Sequence, residues 1–249
     1  MDVVVINDLV MKNKHYVHKL LYDGERYIPG QTADNVRRDH EKRYQHVRKF
    51  VKGQRVLDVA CGSGFGIKIL SFVSRFIVGV DYAFEAVSFA RQEHLNPDDG
   101  VVQASATGLP FVDRSFDTVV SFETIEHLRS PVKFLREIKR VLVPGGKLYI
   151  STPVKKSDKL DRYHFHEYTI AEFTKLLSRF FQVEKIEGQR FMFAPFFWLF
   201  SFEFVNNLKK ISVVKNLYRR CYGKDEIKPL TLISWFAPNF VIVTCKNEK

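Results

Sequence analysis

The sequence VLDVACGSGFG at residues 56–66 decides the fold of this 249-residue chain. A β-branched run leads directly into a turn with glycines at positions 62, 64 and 66, and a helical pattern follows. A second β-branched run, FIVGVD, ends at Asp81, 19 residues after Gly62. Glycines let the backbone approach a ligand closely, and a carboxylate that ends the second strand can accept hydrogen bonds from both hydroxyls of a ribose. These residues predict a nucleoside-binding turn between a strand and a helix.

Strand and helix patterns alternate along the chain on both sides of this turn. The strand runs share β-branched and apolar residues, and they lie at 55–60, 76–81, 101–104, 116–122, 147–151, 181–190 and 240–245. Helical patterns occupy 34–51, 64–73, 84–93, 131–142 and 169–180. Strands separated by helices of this length predict an α/β fold, in which helices cover both faces of a parallel sheet.

The glycine spacing separates two classes of nucleoside cofactor. A dinucleotide site follows G-x-G-x-x-G, which would require glycine at position 67, where the chain has Ile67. The spacing therefore disfavours a dinucleotide. A turn that serves only the fold is the structural alternative.

Composition narrows the class of protein without naming a partner. The chain has 39 Lys and Arg against 28 Asp and Glu, a net charge of +11, which suits nucleic acid, an anionic membrane surface or an anionic substrate. Three widely spaced cysteines, Cys61, Cys221 and Cys245, do not form a disulfide framework or a zinc cluster. Because the N-terminus also lacks a signal-peptide pattern, we expect a cytoplasmic protein, either soluble or peripheral on the inner face of the membrane.

Four stretches in order resemble class I S-adenosylmethionine-dependent methyltransferases. They are VLDVACGSGFG, GVDYAFEAVSFAR, LPFVDRSFDTVVSFETIEHL and FLREIKRVLVPGGKLYISTP, and they cover about residues 50–155. The flanking segments ERYIPGQ, DHEKRY and YHFHEYTIAEFTKLL resemble methyltransferases of bacterial surface-glycan biosynthesis. The resemblance implies S-adenosylmethionine as cofactor. It also implies a Rossmann-like, seven-stranded, mostly parallel sheet whose last strand is antiparallel.

The resemblance also implies ten cofactor-binding residues: Arg43, Asp58, Ala60, Gly62, Gly64, Asp81, Tyr82, Ser105, Ala106 and Phe122. Asp58 and the turn would line the methionine part, Asp81 would hold the ribose, and Tyr82 would lie against the adenine. Ser105 stands where the family has aspartate at the adenine edge, so an ionic acceptor is lost there. Arg43 resembles an arginine that reaches the cofactor carboxylate in ubiquinone-type O-methyltransferases, and a solvated helix charge is its alternative role.

Two histidines are candidate general bases. A sugar or alkyl hydroxyl has a high pKa, so methyl transfer to it benefits from a base, and histidine is the usual choice. His127 follows the fourth strand and His164 the fifth, which places both at the ligand edge of a parallel sheet. A buried histidine bonded to backbone is the alternative for His127, and a surface position is the alternative for His166. The pair His164 and His166 lacks an obvious third ligand, so the sequence predicts no metal site.

We expect one domain over 1–249, with an N-terminal helical cover (1–52), a cofactor-binding core (53–190), an insertion (191–238) and a final strand (239–249). The insertion has eight aromatic residues within 191–204, and six basic residues without an acid within 206–224. Residues 191–224 therefore suit a lid, a homodimer face or peripheral membrane contact. No nucleic-acid partner is expected, because the aromatic and basic residues are not interleaved.

The function expected from the sequence is O-methylation of a saccharide or lipid-linked glycan hydroxyl. Methylation of a quinone-like or other lipid ring hydroxyl and non-catalytic binding of S-adenosylmethionine are the alternatives. RNA methylation is a weaker one.

Overall fold

A computed structural model describes residues 34–93, 97–155, 161–193, 227–230 and 236–248 of the chain. The helices are α1 (Asp34–Arg48), α2 (Phe65–Ser71), α3 (Phe84–Glu93), α4 (Pro131–Val141) and α5 (Ile170–Leu177), with one 3-10 helix (Ile125–His127). The strands are β1 (Arg55–Val59), β2 (Phe76–Asp81), β3 (Gly100–Gln103), β4 (Phe116–Phe122), β5 (Leu142–Pro153), β6 (Gln182–Phe193), β7 (Lys228–Pro229) and β8 (Phe236–Lys246).

All the described strands form one sheet, in the order β3-β2-β1-β4-β5-β8-β6-β7. Neighbours from β3 to β5 pair in parallel, whereas β8 pairs antiparallel with both β5 and β6. The prediction of a Rossmann-like, mostly parallel sheet with an antiparallel last strand is confirmed. The predicted count of seven strands was one short within the described residues, because Lys228 and Pro229 pair with the outer edge of β6.

Helices cover both faces of this sheet, as the sequence predicts. Successive residues of a strand point to opposite faces. Accordingly, Leu57 and Val59 of β1 belong to an apolar cluster with residues of α4 and α5, whereas Val56 belongs to a second cluster with residues of α1, α2 and α3. Both clusters are almost fully buried, so β1 lies in the core between two helical layers.

The direction in which the chain adds strands to the sheet reverses between β1 and β4. This reversal marks where a ligand site is expected. The chain leaves β1 toward β2 on one side and later returns to β4 on the other side. Loops that follow β1 and β4 therefore diverge at the carboxyl edge of the sheet, where open α/β sheets bind ligands.

The predicted division of the chain into an N-terminal cover, a core, an insertion and a final strand stays a prediction. Residues 1–33 of the N-terminal cover, and residues 194–226 and 231–235 of the insertion, lie outside the described residues. Within the described part, β6 extends to Phe193 and β8 begins at Phe236, so the strands reach into both ends of the predicted insertion.

Candidate active site

A cleft of about 810 Å³ opens at the carboxyl edge of the sheet. Residues that follow β1, β2, β3 and β4 line it, and α1 and the start of β8 complete its wall. Ten of the twelve residues predicted from the sequence lie on this lining: Arg43, Ala60, Gly62, Asp81, Tyr82, Ser105, Ala106, Phe122, His127 and His164. Asp58 and Gly64 are the two that do not.

The glycine turn has a backbone that most side chains disfavour. Ala60, Gly62 and Gly64 have φ values of 62°, 54° and 78°, in the left-handed region. Gly64 immediately precedes α2. A Cβ built on Gly66 would lie 2.1 Å from the Tyr44 ring, so the missing side chain lets α1 pack onto α2. The sequence places glycine where the turn and the helix contact need it.

Asp81 is held in position by the backbone around it. Its Oδ2 accepts a hydrogen bond from Gly62 N at 2.9 Å, and its Oδ1 accepts one from Ala83 N at 2.9 Å. These bonds use two of the roughly four lone pairs of a carboxylate. The side chain is 7% exposed and lines the cleft, which suits the predicted contact with a ribose.

Asp58 lies beneath the turn rather than on the cleft lining. The Tyr44 hydroxyl donates to its two carboxylate oxygens, at 3.0 and 3.2 Å. Burial raises the pKa of Asp58 to about 7; the Tyr44 hydrogen bond lowers it and the nearby Asp81 charge raises it further. Asp58 therefore meets Tyr44 in this structure, and its predicted contact with the methionine part of a cofactor stays a prediction.

Arg43 is a buried cation on the wall of the cleft. Its side chain is 1% exposed, and its guanidinium lies 5.0 Å from the Phe240 ring centroid and 6.0 Å from that of Phe122. Nη1 donates to Gln189 Oε1 at 2.9 Å and lies 3.8 Å from Glu123 Oε1. Its Nε is buried with no hydrogen-bond partner among the described residues. A buried guanidinium with an unused donor fits an anionic group such as a ligand carboxylate.

Helix α1 is tied to β6 by polar pairs that the sequence did not reveal. Asp39 Oδ2 lies 2.7 Å from Arg190 Nε, and His46 Nε2 lies 3.1 Å from Glu187 Oε2. With the Arg43–Gln189 bond, these pairs join successive turns of α1 to β6. The partners are about 140 to 150 residues apart in sequence. Only the fold brings them together, so no local pattern could have found them.

The two candidate bases face each other on the lining of the same cleft. The His127 and His164 rings lie 4.9 Å apart between centroids, edge to face. His127 Nδ1 lies 3.1 Å from the Tyr163 carbonyl oxygen, and His164 Nδ1 lies 3.3 Å from Glu167 Oε1. His166 stacks on Tyr168 and does not line the cleft.

Glu126 lies beside the two histidines and was not among the residues predicted from the sequence. It is 1% exposed and accepts a hydrogen bond from Thr152 Oγ1 at 3.1 Å. Burial raises the pKa of Glu126 well above its ordinary value, and the Glu123 charge raises it further. One potential metal-ligand atom from each of Glu126, His127 and His164 lies within 4.8 Å of the others. The signal in the sequence was an acid directly before His127, but its burial could not be read from one sequence.

The predicted membrane contact involves residues 191–224, most of which lie outside the described part of the chain. None of the helices described here has the length and apolar character needed to cross a bilayer. The aromatic and basic residues from 194 to 224 are not described, so their predicted role as lid, dimer face or membrane contact stays a prediction.

Comparison with known proteins gives the family. Residues 57–150 match the family described as "Methyltransferase domain". The chain is 36% identical to a probable S-adenosylmethionine-dependent methyltransferase of Mycolicibacterium smegmatis. The match extends over 173 residues, which are 66% of each protein. In structure it is similar to a Bacillus halodurans C-125 protein assigned as a methyltransferase. The TM-score is 0.58 at 18% identity, over 83% of this chain and 97% of the other.

Shorter matches reach proteins named for different acceptors. A probable phthiotriol/phenolphthiotriol dimycocerosates methyltransferase of Mycobacterium ulcerans is 36% identical over 127 residues, 48% of each protein. A tRNA U34 carboxymethyltransferase of Pseudoalteromonas translucida is 36% identical over 113 residues, 44% of this chain and 35% of that protein. The chain thus spans at most 66% of the length of these curated relatives.

The matched segment contains the glycine turn, Asp81 and the strand before His127, and residues of the turn and Asp81 line the cleft. The chain carries a methyltransferase domain of the class I family, whose cofactor is S-adenosylmethionine.

Proposed function

We propose that this protein transfers the methyl group of S-adenosylmethionine to a hydroxyl oxygen of a saccharide or lipid-linked acceptor. One observation carries the proposal: the imidazoles of His127 and His164 lie 4.9 Å apart in the same cleft as the glycine turn and Asp81. A cofactor-binding end and a proton-accepting end in one cleft are what transfer to a hydroxyl needs.

The cofactor end is formed by residues whose chemistry fits the parts of S-adenosylmethionine. Asp81 accepts from the ribose hydroxyls, and the two backbone N–H groups that hold it keep it oriented. Arg43 binds the methionyl carboxylate through its buried guanidinium. Tyr82 is 79% exposed beside the cleft, and it gains contact area when it packs against an adenine. The cofactor supplies an activated methyl group on a positively charged sulfur.

The acceptor end provides orientation and a place for a proton. With Nδ1–H donated to the Tyr163 carbonyl, the His127 ring carries its lone pair on Nε2. Such a ring accepts the hydroxyl proton as the oxygen attacks. The O–H bond breaks and an O–C bond forms, while the C–S bond breaks with its electron pair left on sulfur.

The surroundings of His164 support a saccharide acceptor. Tyr163 lines the cleft, and Phe165 follows His164 in the sequence; their side chains are 44% and 47% exposed. Exposed aromatic rings can pack against the apolar faces of sugar rings. The Arg129 guanidinium lies 4.7 Å from the Phe165 ring centroid, and Arg162 lies 5.6 Å from that of Tyr163. These cations suit an anionic carrier such as a lipid-linked phosphate.

A lipid ring hydroxyl is the second candidate, and one relative supports it. The Mycobacterium ulcerans relative is named for methylation of a phthiotriol or phenolphthiotriol lipid. Either lipid acceptor would bring the protein to the inner face of the membrane, with residues 191–224 as its contact. RNA remains the third candidate, because two relatives are named for tRNA.

Assay of the full-length protein with methyl-labelled S-adenosylmethionine tests the proposal. Separate pools of lipid-linked saccharides, quinone-type lipids, and RNA from the producing cells serve as acceptors. We expect label in the saccharide pool, and a product lighter by one methylene group in cells that lack the gene. Label confined to RNA, or binding of the cofactor without transfer to any pool, would refute the acceptor class.

A further inference from the structure

Glu126, His127 and His164 come together at the acceptor end of the cleft. Glu126 and His127 are adjacent on the 3-10 helix after β4, and His164 lies in the segment between β5 and α5. All three line the cleft, and one potential ligand atom from each lies within 4.8 Å of the others. Two imidazoles and one carboxylate are a ligand set that binds divalent transition cations.

The Nδ1 atoms of both histidines lie close to oxygen acceptors, as the second ring nitrogen of a metal-binding histidine usually does. His127 Nδ1 lies 3.1 Å from the Tyr163 carbonyl oxygen, and His164 Nδ1 lies 3.3 Å from Glu167 Oε1. An oxygen acceptor at Nδ1 keeps the ring proton there and leaves the lone pair on Nε2. Histidines that bind metal usually donate their other N–H to a carbonyl or carboxylate, which fixes the tautomer and the ring orientation. Both kinds of acceptor occur here.

Glu126 adds an independent observation. Its Oε2 accepts from Thr152 Oγ1, whereas its Oε1 is buried without a hydrogen-bond partner among the described residues. The residue is 1% exposed and borders the cleft, so this oxygen has little access to water. A buried polar atom without a partner is costly, and a bound cation would remove that cost.

We propose that Glu126, His127 and His164 bind one divalent transition cation of the zinc type. Three protein ligands leave a coordination position open, which is the arrangement of catalytic rather than structural zinc sites. Two imidazole ligands disfavour Mg²⁺ and Ca²⁺, which prefer oxygen ligands. The sequence predicted no metal site, because the pair His164 and His166 lacked a third ligand. The fold instead brings His164 together with Glu126 and His127.

The cation would serve the reaction of the preceding section, and this part rests on the proposed function. An acceptor hydroxyl at the open position would lose its proton more easily, because a bound cation stabilises the alkoxide. The proton passes to solvent, the oxygen attacks the methyl carbon, and the C–S electron pair stays on sulfur. While the cation is bound, the imidazoles are its ligands, and the cation takes over the activation of the hydroxyl that the proposed function gives to His127.

Metal titration of the untagged full-length protein tests the site without cofactor or acceptor. The protein is dialysed against chelator and titrated with Zn²⁺ by calorimetry, and separately with Co²⁺ by visible absorption. We expect one cation per chain, with cobalt bands typical of nitrogen and oxygen ligands at low coordination number. Failure of the wild-type protein to bind either ion would overturn the proposal.

Variants assign the site to its ligands. Glu126→Gln and His164→Asn should each weaken Zn²⁺ binding at least about a hundredfold, and Glu167→Gln about ten- to a hundredfold. His166→Ala is the matched control, because His166 lies two residues from His164 but outside the three-residue group. Circular dichroism confirms that each variant is folded. Equal losses in His166→Ala and His164→Asn would mean nonspecific binding and would overturn the assignment.

Activity separates this proposal from the proposed function. If the chelated wild-type protein loses methyl transfer and Zn²⁺ restores it, both stand. If it transfers methyl groups at an unchanged rate, the catalytic role of the cation is wrong and the proposed function stands. If the protein binds Zn²⁺ but transfers methyl to no acceptor pool, the metal site stands and the proposed function falls.

Discussion

The Tyr44 hydroxyl donates hydrogen bonds to the two carboxylate oxygens of Asp58, at 3.0 and 3.2 Å. The same ring occupies the space that a side chain at Gly66 would need. One residue of α1 thus contacts the first strand and the helix that follows the glycine turn. The position of the cover helix and the shape of the turn are therefore coupled.

Gly66→Ala should disturb this contact. The new Cβ would lie 2.1 Å from the Tyr44 ring, so α1 or α2 must shift. We expect a loss of about 1–3 kcal/mol in the free energy of unfolding, typical of overpacking, and weaker binding of S-adenosylmethionine. Denaturant unfolding and calorimetry measure the two effects. Gly108→Ala is the control, because a Cβ there has nothing within 4 Å. Equal stability of the two variants would refute the close contact.

The stability of the protein should fall as the pH rises from about 4 to about 7, in part because of Asp58. Burial raises the folded-state pKa of Asp58 to about 7, above its ordinary value of 3.8. In this window the unfolded chain releases the Asp58 proton while the folded protein retains it, so ionisation favours unfolding. Each unit of pKa difference corresponds to about 1.4 kcal/mol.

Asp58→Asn isolates this effect from other groups, Glu126 among them. We expect its free energy of unfolding to vary less with pH than that of the wild-type protein over this window. Unfolding by urea at several pH values gives both curves. Parallel curves would mean that Asp58 is ionised in the folded protein throughout the window.

Asp81→Asn should reduce the affinity for S-adenosylmethionine by at least about tenfold, or about 1.4 kcal/mol. An amide has one oxygen, so it cannot accept from Gly62 N and Ala83 N and also bind a ribose diol as a carboxylate can. Calorimetry measures the affinity. Asp117→Asn is the matched control, because Asp117 pairs with Arg55 at 2.7 Å and does not line the cleft. Unchanged binding by Asp81→Asn would refute the ribose contact.

His127→Ala and His164→Ala should lower kcat by about 10²- to 10⁴-fold, as expected when a general base or its equivalent is lost. Cofactor affinity should change little, because both rings lie at the acceptor end of the cleft. Steady-state kinetics with a labelled methyl group, combined with calorimetry, separates the two quantities. His166→Ala should behave as the wild-type protein does. Wild-type kcat in both variants would show that the acceptor needs neither imidazole.

Most of the parallel half of the sheet could be predicted because its signals are local. Residues 76–81 were predicted as a strand and form β2 with the same bounds. The fifth strand was predicted at 147–151 but begins at Leu142, because Leu142 pairs with Phe116 before an irregularity in the register. The edge strand β7 was missed because two residues are too few to show an alternating pattern.

The part of the cleft lined by the glycine turn and Asp81 could also be predicted in large part. The turn at 60–66 and Asp81 are separated by one helix and one strand, so their meeting follows from a single βαβ unit. Asp58 is the exception. The residue lies on β1 as predicted, but the Tyr44 hydroxyl, from a different helix, lies against its carboxylate.

The sequence by itself determined the α/β class, the glycine turn with its carboxylate, and the edge of the sheet where ligands bind. These features depend on periodicity and spacing within short segments, which the chain carries locally. Only the tertiary structure decided that Arg43 meets Gln189 and that Glu126 lies beside His164. These pairs depend on how strands and loops far apart in sequence are brought together. Glu126 is buried, and its pKa is raised, only after the core has formed around it.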